Sequence, residues 1–176
     1  MLLSLAIWLQ NTGLFQSLRE SDHGYEILLS LHVASIALFA ATVVISDLRL
    51  LGWAMRGSSV SAVLNQLRVP KRIGFLCIVT FGFLMFGIKA EEYYYNVFFR
   101  LKMLLLVLVA VHALVFRPAV YRRSVEFDKL AQAPARAKLA AGFSLLLWLC
   151  LLCAGRGIGY IHPPPFSHHF AALFPR

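Results

Sequence analysis

The stretch Ile27–Ser46, ILLSLHVASIALFAATVVIS, sets the class of structure for the whole chain. Its 20 residues include no Lys, Arg, Asp or Glu. A helix of that length rises about 30 Å, which is enough to cross the hydrocarbon core of a bilayer. Three other long segments are nearly as apolar: residues 73–88, 97–116 and 139–161. The sequence therefore predicts an all-α integral membrane protein, a bundle of four transmembrane helices.

The composition of the chain favours the same class. Of its 176 residues, 60% are hydrophobic and 14% are charged, whereas about a quarter of the residues of a soluble domain are charged. So few polar residues cannot cover the surface of a soluble enzyme of this size. The three cysteines all lie in apolar runs and give no disulfide framework. Since no long linker divides the chain, we predict a single transmembrane domain over residues 1–176.

The charge pattern predicts the orientation in the membrane. The net charge is +9, from 17 Lys and Arg against 8 Asp and Glu. The two segments 47–72 and 117–138 hold 11 of those 17 basic residues. Cytoplasmic loops of membrane proteins collect Lys and Arg, so we expect these two loops inside and both termini outside. The same rule explains the positive charge without a nucleic-acid partner.

The two ends of the chain do not have the pattern of membrane spans. The N-terminal segment is apolar for only nine residues before Gln10, and we predict an interfacial or re-entrant helix there on the outer face. At the other end, the prolines at 163–165 exclude regular helix. Three histidines in this tail could bind copper or zinc, or the tail could be an ordinary flexible terminus: His162, His168 and His169.

Ionisable residues inside a span are candidates for function, because they are costly to place in lipid. Three lie within the predicted spans: His32, Lys102 and His112. His32, Lys102 and Gly87 are each 15 residues from the charged residue at the basic-loop end of their own helix. At the rise of an α-helix they share one level, roughly 22 Å from that boundary. His112 is only five residues from Arg117, which places it some 15 Å lower.

These depths favour one arrangement of ligands for haem. Two histidines can ligate one haem only at nearly equal height, and His32 and His112 fail that test on straight helices. We therefore predict His32 as an axial ligand of haem iron, with Lys102 as the second ligand or as the partner of a propionate. Gly87 leaves room for a flat ligand at the same level. The alternative is that His32 and Lys102 are polar packing residues and that Lys102 snorkels outward.

A polar stripe follows His32 along the first span. Ser35, Thr42 and Ser46 fall on the same side of the helix as His32, and polar groups in a span are expected to face the bundle interior. Their hydroxyl groups could orient the imidazole through hydrogen bonds. The alternative is that they bond only to carbonyl groups of their own helix.

Residues 47–52, DLRLLG, carry a resemblance to a known family. The chain resembles uncharacterised bacterial inner-membrane proteins that share this signature. The similarity covers most of residues 5–117, and its other matches are Arg19-Glu20-Ser21, Leu31-His32, and Tyr94, Asn96, Phe99 and Lys102. The resemblance implies a location in the bacterial inner membrane, and it brings no activity with it.

A second, more distant resemblance concerns the first and third spans. A Leu-His pair in the first span, with Lys102-Met103-Leu104 opening the third, is similar to HemJ-type protoporphyrinogen oxidases and copper-resistance D-type proteins. Those are also small helical membrane bundles, and the HemJ type binds haem. On this resemblance only His32 and Lys102 carry over, and the implied cofactor is haem b.

Two hypotheses for function follow from the sequence. In the first, the bundle binds haem b at His32 and transfers electrons or oxidises a small, quinone-like substrate from the lipid bilayer. In the second, the bundle has no cofactor and is an accessory or transport-linked subunit. Its basic loops then contact anionic lipid or a membrane protein partner.

Overall fold

The structure is a computed structural model that describes residues 2–130 and 132–160, without the side chains at positions 117, 119 and 121. All the regular structure in these residues is helical. The helices are α1 (Leu2–Gln10), α2 (Gly13–Glu20), α3 (Gly24–Leu51), α4 (Val60–Gln66), α5 (Arg68–Ile88), α6 (Ala90–Tyr95), α7 (Val97–Asp128) and α8 (Ala135–Gly157).

Four of these helices are long and apolar enough to cross a membrane. They are α3, α5, residues Val97–Phe116 of α7, and α8. The prediction of an all-α bundle with four spans is confirmed, and the chain is a multi-pass membrane protein. Some boundaries differ, since α3 and α5 continue into the charged residues at the basic loops. The fourth span is predicted over residues 139–161. The observed helix begins and ends earlier, at Ala135 and at Gly157.

The N-terminal segment forms two short helices where the sequence predicts one. Thr12 separates α1 from α2, and its hydroxyl group donates to the Leu9 carbonyl at 2.9 Å. The Gln10 side chain accepts a hydrogen bond of 3.0 Å from the backbone N–H of Glu91 in α6. Both helices therefore pack against the end of the bundle that carries α6. We call this the N-terminal end, and the opposite end, with the loops 47–72 and 117–138, the basic end.

The four long helices do not pack equally. Helix α3 is central and packs along both α5 and α8, whereas α7 packs on α8 and on the short α4. Within the described residues, the backbone of α7 does not come close to that of α3 or α5. Helix α7 therefore joins the bundle mainly through α8 and α4.

Helices α3 and α5 meet at a glycine. A Cβ atom on Gly74 would lie 3.0–3.1 Å from Phe39 atoms, two of them in the backbone, so the two helices can come this close only with glycine there. The Phe39 ring also contacts Trp148 of α8, with 5.2 Å between ring centroids. This junction belongs to a buried apolar layer in the middle of the bundle: Phe39, Val43, Leu105, Leu147, Trp148, Leu151 and Ala154.

The DLRLLG signature is the C-terminal end of α3. Gly52 has a φ of +77° and ends the helix in the left-handed conformation, which glycine adopts without strain. The Arg49 side chain donates to the Ser58 carbonyl at 2.9 Å and so holds the following loop. Asp47 turns into the bundle and is 8% exposed. Arg72, at the start of α5, is exposed.

Asn96 begins the third span. Its side-chain oxygen accepts a hydrogen bond of 3.1 Å from the backbone N–H of Phe99, as an N-cap residue does. Its amide group donates to the Ile158 carbonyl at 3.3 Å. One buried side chain thus starts α7 and joins it to the end of α8.

Candidate functional site

His32 is buried in the bundle interior on α3. Its side chain is 7% exposed and packs on Gly82 of α5, where a Cβ atom would lie 3.0 Å from the imidazole Cε1. The backbone of Ile78, one turn earlier on α5, lies beside the imidazole. Within the described residues, Nδ1 of His32 has no hydrogen-bond partner. Buried polar atoms usually have a partner, so this nitrogen marks the position as a candidate ligand.

Lys102 of α7 lies near His32. Its amino group is close enough to His32 for a direct electrostatic interaction. Nζ lies 4.0 Å from the position that a Cβ atom on Gly155 of α8 would take. Lys102 takes no part in the ion pairs His23–Glu26 and Lys89–Glu92. The two side chains whose helix positions predict equal depth therefore interact electrostatically in the bundle.

Gly87 does not provide the room for a flat ligand that the sequence suggests. The aromatic ring of Phe15 from α2 packs directly on Gly87 and fills the space beside it. Phe15 is 3% exposed and meets Phe83 with 5.9 Å between ring centroids. Gly82, five residues earlier, is the glycine that faces the imidazole. The role assigned to Gly87 is therefore corrected to a packing role under the N-terminal helices.

Three aromatic rings lie between the site and the N-terminal end. Phe86 of α5, Tyr93 of α6 and Phe99 of α7 are nearly parallel, with centroids 5.0–6.5 Å apart. The hydroxyl groups of Tyr93 and Tyr25 are hydrogen-bonded at 3.0 Å. Burial and this hydrogen bond raise the pKa of Tyr93, so the phenol stays protonated. Because Phe86 and Phe99 lie within about one turn of Gly82 and Lys102, the stack closes the site on this side.

The hydroxyl stripe of α3 does not reach the imidazole. Ser35 donates to the Leu31 carbonyl, Thr42 to that of Phe39, and Ser46 to that of Thr42, each at 2.7 Å. All three are buried. They face the interior as predicted, and their hydroxyl groups donate to carbonyl groups of their own helix, as in the alternative interpretation. Ser46 also accepts a hydrogen bond from Lys71 of α5.

His112 lies at a different place from His32. It lines a cavity near the basic end together with Asp47 and Lys71, and its ring contacts Phe116 and Phe143 with centroids 4.8 and 5.3 Å apart. Sequence reasoning missed Lys71, which resembles a boundary charge next to Arg72. The sequence carries one sign that Lys71 faces inward. Lys71 precedes Gly74, Ile78 and Gly82 by 3, 7 and 11 residues, which is the spacing of one helix face, and these three positions contact α3 or lie next to it.

The described residues contain no group of three His, Cys, Asp or Glu side chains that could hold a metal ion. The three histidines of the C-terminal tail lie outside the described residues. Haem iron does not need a group of three protein ligands, because the porphyrin supplies the equatorial nitrogen atoms and a single side chain can be the axial ligand.

The fold and the site define a small four-helix membrane bundle with a buried histidine and a lysine from two non-adjacent spans. Residues 24–161 match the sequence pattern of a family of unknown function, DUF6644. The chain belongs to that family. No curated protein and no solved structure matches the chain.

Proposed function

We propose that this protein binds haem b in the membrane, with His32 as an axial ligand of the iron. Lys102 is the second ligand or the partner of a haem propionate. The observation that carries the proposal is the buried Nδ1 of His32, which has no hydrogen-bond partner within the described residues. A neutral imidazole nitrogen with a free lone pair is a strong ligand for iron.

The residues around His32 fit such a group. Gly82 packs against the ring and the Ile78 backbone lies beside it, so both help to hold its orientation, as neighbouring groups do for a metal-ligating histidine. Gly82 and Gly155 present helix faces without side chains beside His32 and Lys102. Since the backbone of α7 does not come close to that of α3 or α5 within the described residues, a flat ring between them would interrupt no backbone contact between these helices.

Haem would supply one-electron chemistry that the side chains of this chain lack. The protein's own part is to hold the iron through His32, to place the amine of Lys102 nearby and to keep water out. The aromatic rings of Phe86, Tyr93 and Phe99 shield the site toward the N-terminal end. The buried apolar layer around Phe39 shields it toward the basic end. These surroundings suit electron transfer, or oxidation of a small quinone-like substrate that arrives through the lipid.

The proposal includes a location and an orientation. The protein lies in the bacterial inner membrane, with the basic loops in the cytoplasm and both termini outside, because 11 of the 17 basic residues are in those loops. Reporter fusions that are active only in the cytoplasm are expected to work in the loops 47–72 and 117–138, and to fail after residue 176. Activity of the C-terminal fusion would contradict this orientation.

A glycine variant tests the haem site without changing a ligand. In Gly82→Leu the new side chain must push against the imidazole of His32, because even a Cβ atom at Gly82 lies 3.0 Å from it. We expect titration of the purified protein with haemin, followed in the Soret region, to show at least about tenfold weaker binding, or about 1.4 kcal/mol.

The matched control is Gly142→Leu on α8, where a Cβ atom meets nothing within 4 Å. This variant adds the same side chain to a transmembrane helix, and we expect it to bind haemin as the unaltered protein does. Equal binding by Gly82→Leu and Gly142→Leu would show that haem does not use the face of His32 next to α5.

A further inference from the structure

A second polar site lies near the basic end of the bundle. It is a cavity of about 60 Å³, and each of the four spans contributes a polar side chain to its wall: Asp47 of α3, Lys71 of α5, His112 of α7 and Ser144 of α8. Asp47 and Lys71 are only 8% and 6% exposed. Buried ionisable groups in a membrane bundle commonly mark ion or proton pathways.

The cavity is separate from the haem site proposed above. The apolar layer in the middle of the bundle lies between them, and Phe39 and Leu151 belong to it. Trp148 belongs to that layer and also lines the cavity. The inference drawn from the cavity therefore does not depend on haem.

The charged groups at the cavity are of both signs. Asp47 supplies a carboxylate and Lys71 an ammonium group, which donates to Ser46 Oγ at 2.9 Å. His112 supplies an imidazole, whereas α4 and α8 contribute uncharged residues such as Leu64 and Ser144. The side chain of Arg117, next to Phe116 in the wall, lies outside the described residues. A simple ion would be attracted by one of the charged groups and repelled by the other, whereas water can pair with both.

The size of the cavity also suits water. One water molecule needs roughly 10–15 Å³ of cavity volume, so a cavity of about 60 Å³ holds roughly four to six. It also offers the two to four polar partners that a buried water requires. A carboxylate and an imidazole in contact with such water can each accept a proton from hydronium and leave a water molecule behind.

We propose that this cavity is a hydrated proton-exchange site that opens toward the basic end of the bundle. Its ligands are water and the proton, and its working groups are Asp47, Lys71 and His112. Through this cavity, water from the basic side of the membrane reaches protonatable groups on the same side of the apolar layer. His32 lies on the other side of that layer.

Hydrogen exchange at the histidine rings tests this directly. The Cε1 hydrogen of histidine exchanges with deuterium only where water reaches the ring, and mass spectrometry of peptides reads each histidine separately. In the purified protein in lipid nanodiscs, we expect His112 to exchange at least about tenfold faster than His32. The exposed His23 serves as the reference for full access. Equal protection of His112 and His32 would show that the cavity is dry and would overturn the proposal.

A variant that fills the cavity provides the second part of the test. Ser144→Leu places an apolar side chain in the cavity, and we expect exchange at His112 to slow by about tenfold or more. Gly142→Leu, two residues away with open space around it, is expected to leave the exchange unchanged. Protection of His32 in both variants shows that the bundle is still folded. If Ser144→Leu keeps His32 protected but does not slow His112, the cavity is not the route of water and the proposal fails.

Discussion

Replacing His32 with alanine is expected to remove the haem absorbance of the purified protein. Changes to groups that only support a metal ligand already cost about 10–100-fold in affinity, so loss of the ligand itself should cost more than about 100-fold. Within the described residues, His23 lies before α3 and His112 lies near the basic end, and neither can take the place of His32. The Soret band and the reduced α-band of His32→Ala protein from haem-replete cells should fall to background.

His112→Ala is the matched control for this variant. It removes the other membrane-embedded imidazole, which lines the cavity near the basic end and not the site around Gly82. We expect its haem bands to keep their position and intensity. Loss of the bands in His112→Ala, with Lys102→Ala unaffected, would contradict the arrangement and would favour a pair of histidine ligands.

Replacing Lys102 with alanine is expected to shift or weaken the haem bands without always removing the haem. If the amine ligates the iron, its loss changes the coordination and the band positions. If the ammonium pairs with a propionate, its loss removes a charge-assisted hydrogen bond of about 1.5–3 kcal/mol, which is about 10–100-fold in affinity. Optical spectra and haemin titration measure both effects.

Lys102→Arg separates the two roles. Arginine keeps the positive charge and is never deprotonated in proteins, so it can pair with a propionate but cannot supply a neutral ligand. Recovery of affinity in Lys102→Arg therefore assigns Lys102 to the propionate, and a spectrum like that of Lys102→Ala assigns it to the iron. Band positions and affinity in Lys102→Ala identical to those of the unaltered protein would contradict both roles.

The fold was predictable because it depends on the length and polarity of segments. The charge-free run Ile27–Ser46 is long enough to span a bilayer wherever it packs. The equal depth of His32 and Lys102 also follows from helix rise alone, and the structure places the two side chains near each other. These inferences need no knowledge of which face of a helix meets its neighbours.

The parts of the site that the sequence did not predict depend on which face of each helix meets its neighbours. Helix α5 is apolar around most of its circumference, so its pattern does not reveal which side faces α3. On depth the sequence favours Gly87, because Gly82 lies five residues, or about 7.5 Å of helix rise, nearer the basic end. In the structure Gly87 is covered by Phe15, and Gly82 contacts His32. Lys71 and Arg72 are adjacent, and only the rotation of α5 directs Lys71 inward. The contact of Phe15 with α5 joins distant parts of the chain, and no local pattern indicates it.

The absorption spectrum of the unaltered protein, purified from the membranes of haem-replete cells, tests the central claim most directly. If His32 holds a haem, the preparation is red, with a Soret band, a reduced α-band of the b type and about one haem per chain. A colourless preparation from the same cells, which also fails to bind added haemin, would contradict the claim. It would favour a bundle without a cofactor.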